Sequence, residues 1–268
     1  MKLAYAVTTP EATSSVMGFS GNFEEDLKKI KECGYDAVEL LVRDPKEFDA
    51  DYILDCIKKN GLSVAAIGTN PCFNVDGLFL ISDDEEVMEK AMERTKSLID
   101  FAAKAGGVSV GIGKYRGFTG KYGKEKMLKM FEAKLKELSD YAKEKGAFIV
   151  VEPHHSGSVD NINTVGEAVE FIKKAGADGT KVLYDFYHGD VSEETLLKPI
   201  YDYADYIGFI HCSDRNRKNP AEKIIDIKGC FDALKEVGYK GDISMEFDQT
   251  PNSYEAAKNA ADVLKTYM

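Results

Sequence analysis

The sequence predicts an α/β chain closed as a single (β/α)8 TIM barrel over residues 1–268. Three observations carry that expectation. Short β-rich runs recur along the whole chain, each followed by an amphipathic stretch of helical length. The units repeat at roughly thirty residues, the length of one strand, one helix and their turns. No Pro/Gly/Ser-rich linker or low-complexity segment divides the chain, so one closed barrel is favoured over two domains. A doubly wound open sheet is the structural alternative. In either fold the active site lies beyond the carboxyl ends of the strands, which gives polar residues there their weight.

The elements follow in order. A strand over 3–7 leads to a helix over 23–33, which Asn22 caps with Glu25 three residues on and Gly34 ends. Strand 37–41 precedes helix 50–60 and its stop Gly61; strand 63–67 precedes helix 84–105 and Gly106. Strand 108–112 precedes helix 124–145 and Gly146, and strand 148–152 precedes helix 165–175 and Gly176. Strand 182–185 is paired with helix 193–203, strand 207–211 with helix 225–237 and Gly238, and strand 243–246 with helix 254–267.

Composition sets the class. With 44% hydrophobic and 30% charged residues the chain is able to bury a sizeable core. Its 35 basic against 46 acidic residues, a net charge of −11, give no attraction to phosphate backbones or anionic lipids, so neither nucleic acid nor membrane is expected as a partner. The opening "MKLAYAVTTPE" has only a short apolar stretch, and no window approaches a membrane span, which implies a cytoplasmic protein. The five cysteines (Cys33, Cys56, Cys72, Cys212, Cys230) include no CxxC pair and read as reduced, buried thiols.

The expected strands five to eight end at Glu152, Asp185, His211 and Glu246. In a barrel these are neighbours on one rim. Three carboxylates crowded together repel one another, and a divalent metal resolves the conflict. Three oxygen donors and one nitrogen suit Mn²⁺ first, with Mg²⁺, Co²⁺ or Zn²⁺ as alternatives. The four histidines, His154, His155, His188 and His211, all lie at a strand end or within three residues of one. "YDFYH" sets His188 in the loop after Asp185, and "HCSDRNR" sets Arg217, with Asp214 and Arg215 nearby, where a guanidinium can donate to substrate oxygens. Of His154 and His155 in "VVEPHHSGS", at most one is expected to face the substrate. "GIGKYRGFTGKYGK" fits neither GxGxxG nor GxxxxGK[ST] and reads as a flexible active-site loop in which Lys114 or Arg116 holds an anionic group.

"YDAVELLVRDP", "VVEPHH", "YDFYH", "IHCSDRNR" and "VGYKGDISMEFD" together resemble the strand-end motifs of the sugar phosphate isomerase/epimerase family of xylose isomerase-like barrels. That family includes ketose 3-epimerases and hydroxypyruvate isomerases, and its wider superfamily inosose dehydratases and endonuclease IV. The resemblance implies Glu152, Asp185, His211 and Glu246 as metal ligands, with Glu152 and Glu246 also moving protons. It implies His188 and Arg217 as substrate contacts and Glu39 as a glutamate near the pocket. The chain departs from the family at His154, His155 and Ser156, where many members carry Asn-Arg, and at "NPAEK", where many carry Pro-Gly-x-Gly.

The activity these expectations describe is metal-dependent isomerisation or epimerisation of a small sugar, by removal of a proton next to a carbonyl through a metal-stabilised enediolate. Dehydration or decarboxylation of a keto-sugar or keto acid uses the same first step, and a non-catalytic sugar-binding barrel uses none of it. Such barrels often pair, which makes a homo-oligomer possible, but the sequence does not fix the oligomeric state.

Overall fold

The computed structural model describes residues 1–13, 17–193 and 195–268. Eight parallel strands close into a barrel in chain order, the last hydrogen-bonded to the first. They are β1 (Leu3–Thr8), β2 (Ala37–Leu41), β3 (Ser63–Gly68), β4 (Ser109–Ile112), β5 (Phe148–Val151), β6 (Thr180–Asp185), β7 (Ile207–Cys212) and β8 (Ile243–Met245). The open-sheet alternative is excluded by that closure.

Around them run α1 (Phe23–Cys33), α2 (Ala50–Lys59), α3 (Asn70–Asn74), α4 (Glu85–Lys104) and α5 (Lys124–Lys145). After these come α6 (Val165–Ala175), α7 (Phe186–Ser192), α8 (Leu197–Asp202), α9 (Ile227–Glu236) and α10 (Ser253–Leu264). Local chemistry sets their ends. Asn22 Oδ1 accepts from Glu25 N at 3.4 Å, while the return bond expected from Glu25 comes instead from Asp26, whose carboxylate accepts from Asn22 N at 3.3 Å. Gly34, Gly146 and Gly176 take the left-handed conformation that stops α1, α5 and α6. No helix among the described residues is long and apolar enough to cross a membrane.

The sixth unit differs from expectation. A helix over 193–203 would place Pro199 in its interior, where the ring clashes with the preceding turn and one backbone donor is lost. The chain forms two shorter helices instead: α7, capped by the Asp185 side chain on Tyr187 N at 2.8 Å, and α8, with Pro199 in its first turn. His188 is therefore helical rather than in a loop. Glu194, inside the expected helix, lies outside the described residues.

Most of the core lies between strands and helices. A separate cluster of Ala66, Val150, Leu183 and Phe209 lies inside the barrel. Because side chains alternate along a strand, the inward face that carries Val150, Leu183 and Phe209 carries Glu152, Asp185 and His211 two residues later. The apolar plug and the polar rim are thus one alternation, and the plug forms the floor of the site.

Candidate metal centre and active site

Glu152 and Glu246 stand one residue past β5 and β8. They still continue the ladder: Glu152 N donates to Ile112 O at 3.0 Å and Glu246 N to Cys212 O at 3.2 Å. Asp185 and His211 are register partners on β6 and β7. These four side chains each offer one ligand atom within 4.8 Å of the others. Glu152 Oε1, Asp185 Oδ2, His211 Nδ1 and Glu246 Oε2 are also buried atoms without a hydrogen bond. They are in close electrostatic contact nonetheless: His211 Nδ1 lies 3.0 Å from Glu246 Oε2 and 3.6 Å from Glu152 Oε1. Arg217 Nη1 partly offsets two of them, at 2.6 Å from Asp185 Oδ2 and 2.8 Å from Glu246 Oε2, and the convergence of three carboxylates and one imidazole from four strand ends fits a divalent cation.

The charges agree. Burial opposes ionisation of Glu152, but His154 and His211 outweigh it and hold the carboxyl well below the usual range. Burial likewise opposes ionisation of Glu246, and Arg217 and His211 overcome it. Asp185 is pushed up to about 7, by burial first and then by Glu246 and Glu152, with Arg217 opposing. On His211, burial is outweighed by Glu39 and Glu246, which hold the imidazole protonated. In the protein groups alone, protons relieve the repulsion that a bound cation would relieve.

Glu39 corrects one expectation. It lies behind His211 rather than in the pocket, with Oε1 and Oε2 at 3.2 and 3.1 Å from Nε2. That contact turns Nδ1 toward the carboxylates and makes Glu39 an orienting partner of a candidate ligand. Arg217 is at the centre of the site. Its Nη1 is 2.6 Å from Asp185 Oδ2 and 2.8 Å from Glu246 Oε2, its Nη2 is 3.2 Å from His188 Nε2, and its guanidinium lies over the Tyr187 ring at 4.5 Å. Asn216 and Arg217 both have φ of 57°, a left-handed pair that costs backbone energy and aims the guanidinium inward. Asp214 and Arg215 are not in the pocket: Asp214 accepts from Ile224 N and Ile225 N, and Arg215 pairs with Asp190.

A cavity of about 430 Å³ opens over this centre. Contrary to the expectation that at most one would, both His154 and His155 line it. His154 Nε2 sits 2.9 Å from Glu152 Oε2, and its ring centroid is 4.0 Å from that of His188. Glu152, His154 and His188 also lie close enough to share an ion. Burial, with His154 second, keeps the His188 imidazole neutral.

The loop after β4 splits its two expected residues. Lys114 lines the cavity. Arg116 does not. It is 0% exposed and donates to Asn161 Oδ1, Gly113 O, Glu152 O and Asn161 O, each at 2.8 Å, and to Ile162 O at 3.2 Å. With its donors satisfied by neutral acceptors it holds no substrate anion, and the loop it ties is not a flexible one. Burial lowers its guanidinium to about 10, against the pull of Glu152 and Asp160, so it stays charged at neutral pH. Sequence reasoning also missed Asn70, Phe73 and Asn74 in the cavity wall, since the five-residue α3 is too short to show a periodicity. Tyr187 was visible inside "YDFYH" but carried no distinguishing signal.

Fold and rim together define a (β/α)8 barrel with four side chains that could hold a metal ion at the carboxyl ends of strands five to eight. The profile of the xylose isomerase-like TIM barrel matches residues 27–267, and the chain belongs to that family. It is 26% identical over 240 residues to the 3-dehydro-D-guloside 4-epimerase of Escherichia coli (strain K12), covering 85% of this chain and 88% of that protein. It is 24% identical over 221 residues to the L-ribulose 3-epimerase of Methylomonas sp. (strain DH-1), covering 80% and 74%. Among solved structures, D-psicose 3-epimerase with D-tagatose from Clostridium cellulolyticum H10 superposes with a TM-score of 0.82 at 19% identity, covering 100% of this chain and 98% of that one.

Proposed function

We propose that this chain is a divalent-metal-dependent isomerase or epimerase of a small sugar or sugar derivative. The observation that carries the reading is the convergence of Glu152 Oε1, Asp185 Oδ2, His211 Nδ1 and Glu246 Oε2 on one point at the floor of the cavity. The sugar epimerases it resembles along most of their length support it.

Glu152, Asp185, His211 and Glu246 would hold the cation, manganese first, whose chemistry when bound is Lewis-acid polarisation of a carbonyl oxygen. Glu152 and Glu246 are the proton carriers. One removes a proton from the carbon beside the carbonyl, and the other returns it to the opposite face for epimerisation; a single carboxylate passing it between adjacent carbons gives isomerisation. His188 and Arg217 orient substrate oxygens, and Glu39 keeps His211 in place. His154 and His155 shape the cavity where the sequence departs from the family. The five cysteines are all free and buried, which supports a reducing, cytoplasmic setting.

Glu152→Gln and Glu246→Gln keep the shape of each side chain and remove its basicity. Both are expected to abolish manganese-dependent interconversion of a ketose with its epimer or aldose while circular dichroism stays that of the parent. Undiminished turnover in the two variants would sink the assignment.

A further inference from the structure

One wall of the cavity carries hydrogen-bonding side chains that the protein itself leaves unused. Lys114, half-buried in the turn Lys114–Arg116, makes no hydrogen bond or ion pair among the described residues, although it lines the cavity. The side chains of Asn70 and Asn74, on α3 beside that turn, line the same cavity and likewise have no partner among the described residues. The other cation of the lining, Arg217, is already matched by Asp185 and Glu246. Among the described residues, a chain of net charge −11 thus presents one unmatched cation to its own pocket.

This wall is built and held. The Arg116 guanidinium ties the turn from behind, and Leu80 N and Ile81 N donate to Tyr115 O and Arg116 O at 2.9 and 3.1 Å, lacing the segment after α3 to it. Thr69 Oγ1, just before α3, donates to Gly111 O at 2.7 Å. The backbone beneath Lys114 is therefore fixed, so little ordering is needed when the ammonium meets a ligand.

We propose that the substrate is an anionic sugar, carrying a carboxylate or a phosphate remote from the reacting carbon, and that Lys114 holds that anion with Asn70 and Asn74 as flanking donors. This rests on the isomerase or epimerase reading and adds the substrate class to it. A lysine serves as a compact, strongly hydrated point charge rather than a bidentate fork, so it accepts either anion.

The test uses three ketoses that differ only at C6: D-fructose, D-fructose 6-phosphate and D-fructuronate. Calorimetry on the manganese-loaded protein gives the affinity for each, with the neutral ketose as internal reference. The expected result is an anionic ketose bound about tenfold or more tighter than fructose, with the ratio falling as salt is raised. The ratio should collapse in Lys114→Met and return in Lys114→Arg, each confirmed folded by its melting temperature. Which of the two charged ketoses shows the preference distinguishes phosphate from carboxylate. Equal binding of all three, measurable or not, or a preference untouched by Lys114→Met, overturns the proposal. Failure of the parent reading looks different: a Lys114-dependent preference for the anion alongside turnover that Glu152→Gln and Glu246→Gln leave undiminished.

Discussion

At the scale of single residues, two side chains separate holding the site from doing its chemistry. Arg116 satisfies five acceptors on two loops, and no shorter side chain does so. Arg116→Met leaves several buried carbonyls unpaired, and chemical denaturation is expected to read a loss of about 3 kcal/mol or more; Arg116→Lys recovers little of it, because an ammonium cannot span the same fork. Glu39 acts at one remove, through His211. Glu39→Gln is expected to weaken manganese binding by about 10–100-fold in a calorimetric titration while the melting temperature in chelator changes little. The sequence placed Glu39 near the pocket but could not say on which side of His211. Its separation of 172 positions from that histidine hides the contact, which exists only once the barrel closes.

At the scale of elements, the eight strands were legible because their period and glycine stops repeat, and the clustering of Glu152, Asp185, His211 and Glu246 was legible because they coincide with strand ends. What stayed hidden depends on short or competing signals. α3 has too few residues for a helical period, and the α7–α8 pair was concealed by a composition that suits one helix until Pro199 is weighed. The loop after β4 looked mobile from its glycines, yet one of them is there for closeness rather than freedom. A Cβ built on Gly113 would lie 2.4 Å from Glu152 Oε2 and 2.8 Å from His154 Nε2. Gly113→Ala is therefore expected to push Glu152 off its position and lower metal affinity about tenfold or more, read by competition with a chelator. Unchanged affinity would mean the loop yields instead of the carboxylate.

At the scale of the whole molecule, a cation held by side chains from the ends of β5, β6, β7 and β8, as proposed, would bind the folded barrel and not the unfolded chain. Manganese at 100 times its dissociation constant should add about 2.7 kcal/mol, seen as a rise of several degrees in the melting temperature. Replacing Asp185 and His211 together by Asn and Ala should erase that rise. Beneath the candidate ligands the barrel is also filled by Ala66, Val150, Leu183 and Phe209. A filled floor gives the pocket a single entrance, so product must leave through the opening by which substrate arrives, and the two cannot pass each other. Initial-rate measurements should accordingly find the product a purely competitive inhibitor, so that accumulating product slows the forward reaction by occupying the mouth that substrate must enter.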